Sequence, residues 1–313
     1  MATGFNFKIV SRIVAVLGVL SFFLSGELYA WGPHGEITAT AVNRLPSWQR
    51  ELLAKIMVRD LVYSQKPEAG DFCEKSLASW LSIYCWYPDW QKDIKWNKAF
   101  KRWKLPEDFP DKWNLYYYNR DPSTGEYVYG GTHLAPHVYR PIKPVFRQVI
   151  KEWRQGHILE GCKFAGVLSH YIEDATCPSH AVPLAYPDHG VEDMPFDPSV
   201  EKALADYEPG LLGQDVEEAC NVLYKSVVDG SEEVKPLGKL MVDARKKGDV
   251  AAWHEEGAKA MITGAKIVAD MLHTAMALSK ESLMETYAKI PDELEKRKEI
   301  GPISTYYWIR KLN

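Results

Sequence analysis

Apolar and polar positions along this chain recur with the period of a helix far more often than with that of a strand. Helical spacing starts at Ile37 and runs through Ala41 and Val42. Pro46 and Ser47 then open a second segment, Trp48 to Val58, with Leu52, Leu53, Ile56 and Met57 as its apolar positions. A helix is predicted over Val145 to Gln155. Another begins near Ile158, where Phe164, Val167, Leu168, Tyr171 and Ile172 recur at helical spacing. Val200 to Tyr207 and Val216 to Val228 also read as helical. Val250 to Ser279 carries Met261, Ala265, Val268, Leu272, Ala275 and Met276 on one apolar face. Residues 64–79, around Pro67 and Gly70, read as a loop, as does the stretch marked by Pro195 and Pro198. Strand-like alternation is scarce and no internal repeat stands out. The pattern predicts an all-α chain, one multi-helical domain over residues 31–313.

The first 30 residues have a different pattern. Lys8 and Arg12 precede an apolar run from Ile13 to Leu24, and Leu28-Tyr29-Ala30 ends in a small residue. That layout is a signal peptide, with an apolar run too short for a comfortable membrane span. Cleavage after Ala30 would export the protein, to the periplasm or beyond the cell, and make Trp31 its first residue. Composition changes little: 46% hydrophobic and 26% charged residues are ordinary for a globular protein. A formal net charge of −4 lacks the basic footprint of a stable nucleic-acid partner. It excludes a nuclease only weakly, because bound cations can supply local positive charge. The five cysteines leave at least one thiol unpaired within the chain and match no zinc-ribbon spacing. Nothing in the sequence predicts a protein partner.

The candidate chemistry gathers between Phe164 and Asp193. His170 and Asp174 are four residues apart in a helical segment, so their side chains share a face and can converge on one ion. His180 follows six residues after Asp174. An unbroken helix would aim it elsewhere, but Pro178 gives the backbone reason to kink. His189 and Asp193 repeat the four-residue spacing. This mixture of imidazoles and carboxylates suits zinc. Elsewhere, a free α-amine at Trp31 would be a ligand type, and His34 lies three residues on. Asp89 sits in a Pro-Asp turn beside an aromatic cluster. His133 and His137 follow a glycine pair, with Pro136 making a regular helix doubtful there. His254 and His273 read most simply as helix-surface or core residues.

Taken together, an N-terminal Trp released by cleavage, the motif His170-Tyr-Ile-Glu-Asp174-Ala-Thr-Cys-Pro-Ser-His180-Ala and the later His189/Asp193 pair resemble the zinc-dependent phospholipase C and S1/P1 nuclease superfamily. The wording of the central motif is closer to the phospholipase C branch. The resemblance covers Trp31 to about Asp193. It implies a helical fold holding up to three zinc ions in a cleft. His170 and Asp174 would bind the first, with Asp89 a candidate partner. His180, His189 and Asp193 would bind the second. Trp31, an N-terminal His and a bridging Asp174 would bind the third.

Three departures leave ligands open. His34 lies closer to Trp31 than the family's histidine does, and Glu36 stands near where some members place it. Tyr116, Tyr117 and Tyr118 occupy the neighbourhood before Asp121-Pro-Ser-Thr-Gly125 where the family has a first-site His, so His133 or another residue would take that role. Glu192 or Glu201 could replace Asp193. The resemblance further implies hydrolysis of a phosphodiester, with Asp89 as general base. The substrate would be a phospholipid, with peripheral membrane contact, or alternatively a single-stranded nucleic acid. A secreted helical protein that keeps zinc for stability alone is the competing expectation of another class.

Overall fold

The structure, a computed structural model, describes residues 31–61, 72–86, 88, 119–120, 127–128, 133–181 and 188–289. The leader over 1–30, Asp89, Tyr116 to Tyr118, the turn at 121–125 and the tail from Asp292 lie outside the described residues.

The chain is mostly helical. Helix α1 (His34–Arg44) leads through Leu45 and Pro46 into α2 (Ser47–Lys55). The sequence reading carried that second helix to Val58; instead Ile56 turns extended, with φ −77° and ψ 109°. Met57–Leu61 forms strand β1, antiparallel to β2 (Phe72–Ser76), with Met57 opposite Ser76. The expected loop over 64–79 is therefore partly a hairpin strand and partly α3 (Leu77–Tyr84). A short apolar stretch such as Ile56 to Val58 fits either period, and cross-strand pairing decided it. Ser76 caps α3 by accepting from the Ser79 amide at 3.2 Å, and the Trp80 indole N–H donates to the Val58 carbonyl at 2.9 Å. A second small pair, β3 (Asn119–Arg120) and β4 (Tyr127–Val128), is also antiparallel.

After a single 3₁₀ turn at His137–Tyr139 comes α4 (Ile142–Arg154), close to its expected span, then Gly156 with φ +76°. That left-handed residue reverses the chain into α5 (Ile158–Ala175), which packs against α1, α3, α4 and the helix at Val250–Ala277. Every residue of α5 except Glu160 is buried. A helix surrounded on all sides can tolerate polar groups only where they are partnered. His170, Glu173 and Asp174 must therefore meet other polar groups inside the protein.

The C-terminal half is a long hairpin of α8 (Val216–Lys247) and α9 (Val250–Ala277), preceded by short α7 (Ser199–Ala203). Asp215 caps α8 by accepting from the Glu217 and Glu218 amides, both at 2.9 Å. Gly248, with φ +72°, ends it, and Asp249 caps α9. Helix α8 runs 19 residues past its expected end at Val228. Gly230 and Gly238 resemble breakers in the sequence, but packing overrides their propensity. A Cβ on Gly230 would lie 2.7 Å from the Ile267 side chain, and one on Gly238 would lie 2.8 Å from the Pro178 carbonyl. These glycines are contact points that let α9 and the segment around Pro178 approach closely. Among the described residues no helix is long and apolar enough to cross a membrane.

Among the described residues two apolar clusters result. The larger includes Leu81, Phe146, Trp153, Leu168, Ile172 and Leu272. The other joins Trp31, Ile37, Cys177, Val191, Met194 and Met261. The polar end of α5 lies at their boundary.

Candidate metal centre

Helix α5 ends at Ala175, and the Thr176 hydroxyl turns back to the Ile172 carbonyl at 3.0 Å. Pro178 then opens the one-turn helix α6 (Pro178–Ala181), where a missing N–H costs nothing at the first position. The His180 amide donates to the Cys177 carbonyl at 2.9 Å. The kink expected at Pro178 thus brings His180 back toward Asp174. The Ala135 amide donates to the His180 carbonyl at 3.1 Å and ties the His133 segment alongside.

Asp174 is the hub. Its Oδ2 lies 3.0 Å from His170 Nε2 and in very short contact with His133 Nδ1; those two nitrogens are 3.1 Å apart. Its Oδ1 lies 2.9 Å from His180 Nδ1 and 3.6 Å from His34 Nε2. Each carboxylate oxygen therefore faces its own pair of imidazoles, an arrangement for bridging. His180 Nε2 continues to Glu192 Oε2 at 2.8 Å, and the Ser179 hydroxyl donates to the same oxygen at 2.7 Å. His34 comes from the first turn of α1. Its ring lies 4.3 Å from that of His170, and its Nδ1 is 2.5 Å from Glu173 Oε2. Asp174, His34 and His170 are fully buried, and His133, His180 and Glu192 nearly so.

Burial opposes charge here, yet opposite charges prevail. Burial alone would push Asp174 up, but His170, His180 and His133 hold its carboxyl well below the usual range. Burial alone would push His34 down, but its bonds to Asp174 and Glu173 raise it to about 10. The Asp174 and Glu192 carboxylates likewise hold His180 well above an ordinary imidazole, against its burial. Cys177 lies beside this group and is pushed up to about 12, first by burial. It stays a thiol at neutral pH.

The donor set fits zinc. Zinc bonds of about 2.0–2.2 Å at the tetrahedral angle place donor atoms roughly 3.3–3.6 Å apart. His133 Nδ1, His170 Nε2 and Asp174 Oδ2 already converge, so a small outward movement would bring them to that spacing. His133 Nδ1, His170 Nε2 and Asp174 Oδ2 crowd one point, where one cation would satisfy a lone pair from each. His34, His170 and Asp174 form one group with ligand atoms within 4.8 Å, and Cys177, His180 and Glu192 form a second.

Several sequence candidates assemble here: His34, His133, His170, Asp174 and His180. Trp31 is completely buried with its ring edge-on to His34 at 6.4 Å, and the Gly32 amide donates to the Glu192 carbonyl at 3.2 Å. The start of the described chain is thus beside the cluster. Asp193 does not join it: its side chain is exposed, and the neighbouring Glu192 takes the place beside His180. The backbone is why. The 3₁₀ helix Asp188–Glu192 turns 192 inward, held by the Trp253 indole donating to the Val191 carbonyl at 2.9 Å. Glu36 and Glu201 are exposed. His189 enters the same turn with its backbone, and its side chain lies outside what the structure describes. His273 instead meets Gln49 at 3.2 Å, and His254 stacks edge-on with Trp253. Glu173, absent from the sequence candidates, also reaches the cluster through His34, and its burial depends on contacts across the fold that no local pattern signals.

No protein-family model and no curated protein matches the chain. Among solved structures it is similar to the alpha-toxin of Clostridium perfringens from an avian strain, at 14% identity and a TM-score of 0.47. The match covers 82% of this chain and 65% of that one, so the chain spans a little under two thirds of the toxin's length.

Proposed function

We propose that the chain is an exported, zinc-dependent phosphodiester hydrolase of phospholipase C type. One observation carries this reading: Asp174 presents one oxygen to His133 and His170 and the other to His34 and His180. A carboxylate so placed suits a multinuclear centre. His133, His170 and Asp174 would hold one zinc; His180 and Glu192, with His189, another; and His34 with the Trp31 amine, exposed by cleavage of Met1 to Ala30, a third. Zinc in such a centre supplies an activated water near neutral pH and stabilises charge on phosphoryl oxygens.

The chain's own residues supply the rest. Asp174 fixes the spacing between donor sets, and Pro178 aims His180. The complete burial of His34, His170 and Asp174 keeps their charges in a low-dielectric setting where they act strongly. Asp89, outside the described residues, is proposed as a first-site ligand and general base. The substrate we favour is a phospholipid head group, reached by peripheral contact with a membrane. The motif around His170 and the acidic balance of the chain support it over nucleic acid.

The complete burial of His34, His170 and Asp174 favours a second reading, zinc held for stability alone, because closed sites are structural ones. A phosphatidylcholine analogue assayed beside single-stranded DNA separates the readings. We expect zinc-dependent release of the phosphorylated head group. A preference for DNA would replace the lipid assignment with a nuclease. Full zinc content without turnover on either substrate would establish the structural reading.

A further inference from the structure

We propose that Glu173 is a positioning residue for His34, holding that imidazole with Nε2 turned toward Asp174. The inference rests on the zinc reading above and adds a residue to it. Glu173 Oε2 is 2.5 Å from His34 Nδ1, and Glu173 Oε1 accepts from the Thr38 hydroxyl at 2.7 Å. His34 and Thr38 are four residues apart on α1, so one helix face grips both carboxylate oxygens. All three residues are fully buried.

A ligand imidazole must be neutral, carrying its single proton on the nitrogen that does not bind. A carboxylate on Nδ1 selects the tautomer with the proton there and leaves the Nε2 lone pair facing Asp174 and His170. It also orients the ring and makes Nε2 a stronger donor. Packing alone gives no reason for a glutamate here. A second buried carboxylate next to Asp174 in an apolar helix is expensive, and a leucine or glutamine would fill the volume at lower cost. The expense makes sense if His34 has to be held in one orientation and one protonation pattern. Thr38 completes the grip by fixing the other oxygen.

Glu173→Gln keeps the shape, but its NH₂ cannot accept, so His34 and Thr38 can no longer each have an acceptor oxygen. The test compares the full-length processed protein with Glu173→Gln, His34→Ala and the double variant. Zinc per chain and zinc affinity are measured by competition with a chelator of known affinity. The expected result is one zinc step weakened about 10–100-fold in Glu173→Gln, the other steps unchanged. In the His34→Ala background Glu173→Gln should weaken zinc no further, since its effect passes through His34. A residue needed only for packing would not show this coupling. Thr38→Val should weaken the same step by a smaller factor and serves if Glu173→Gln does not fold. Unaltered zinc affinity in Glu173→Gln, or in Thr38→Val when it stands in, overturns the inference while leaving the metal reading intact. A loss of zinc in Glu173→Gln that persists without His34 overturns it too, by making Glu173 a ligand itself. Absence of zinc from the unsubstituted protein overturns the metal reading, and this inference with it.

Discussion

Asp174→Asn keeps its helical circular dichroism and loses at least two equivalents of bound zinc together with its turnover. The substitution preserves volume and removes the charge that both imidazole pairs face. Loss of an outer partner of a metal ligand costs about 10–100-fold. Asp174 touches both donor sets directly, so the fall in kcat should exceed 100-fold. The substituted amide also offers a donor where the imidazoles need an acceptor. In the metal-free protein the imidazoles lose their counter-charge, and His180 and His34 become easier to deprotonate. A variant with unchanged zinc content and turnover would mean that the four histidines meet at Asp174 for structural reasons alone.

The second large effect is removal of zinc. Chelation should abolish turnover, and added zinc should restore it. The stability of the chelated protein should also acquire a pH dependence that the loaded protein lacks. In the metal-free fold His34 is raised from 6.5 to about 10. A raised value stabilises fully below 6.5, and that contribution disappears as pH climbs through about 10. Asp174 is lowered, so its contribution is present above the ordinary carboxylate range and is lost on acidification. The chelated protein should therefore melt progressively lower between pH 6.5 and 10. With zinc bound, each ligand imidazole is already neutral and keeps its remaining N–H over that range, so the melting temperature should hold nearly level. Saturation at 100 times Kd adds about 2.7 kcal/mol for a single site. Thermal melts across pH with and without chelator check both points.

The parts of this site that could be read from the sequence were those set by local geometry. His170 and Asp174 share a helix face at the four-residue spacing, and Pro178 marks the break that returns His180 to them. Contacts made across the fold were less legible. Nothing local distinguishes Asp193 from Glu192; the choice depends on which way a 3₁₀ turn faces, and Trp253, over 60 residues away, helps to set that. Glu173 was hidden for the same reason, since its partners His34 and Thr38 are more than 130 positions distant. For the fold, the long periodic helices could be read from pattern alone. The β1–β2 hairpin could not, because the stretch around Ile56 suits either period. The reach of α8 was obscured by Gly230 and Gly238, whose role is close packing against Ile267 and Pro178.

The most direct measurement is elemental analysis of the purified, processed protein beginning at Trp31. The arrangement around Asp174 predicts more than one tightly held zinc per chain, up to three, falling sharply in Asp174→Asn. Less than one zinc per chain under zinc-replete conditions would contradict it, leaving the cluster a set of buried ion pairs.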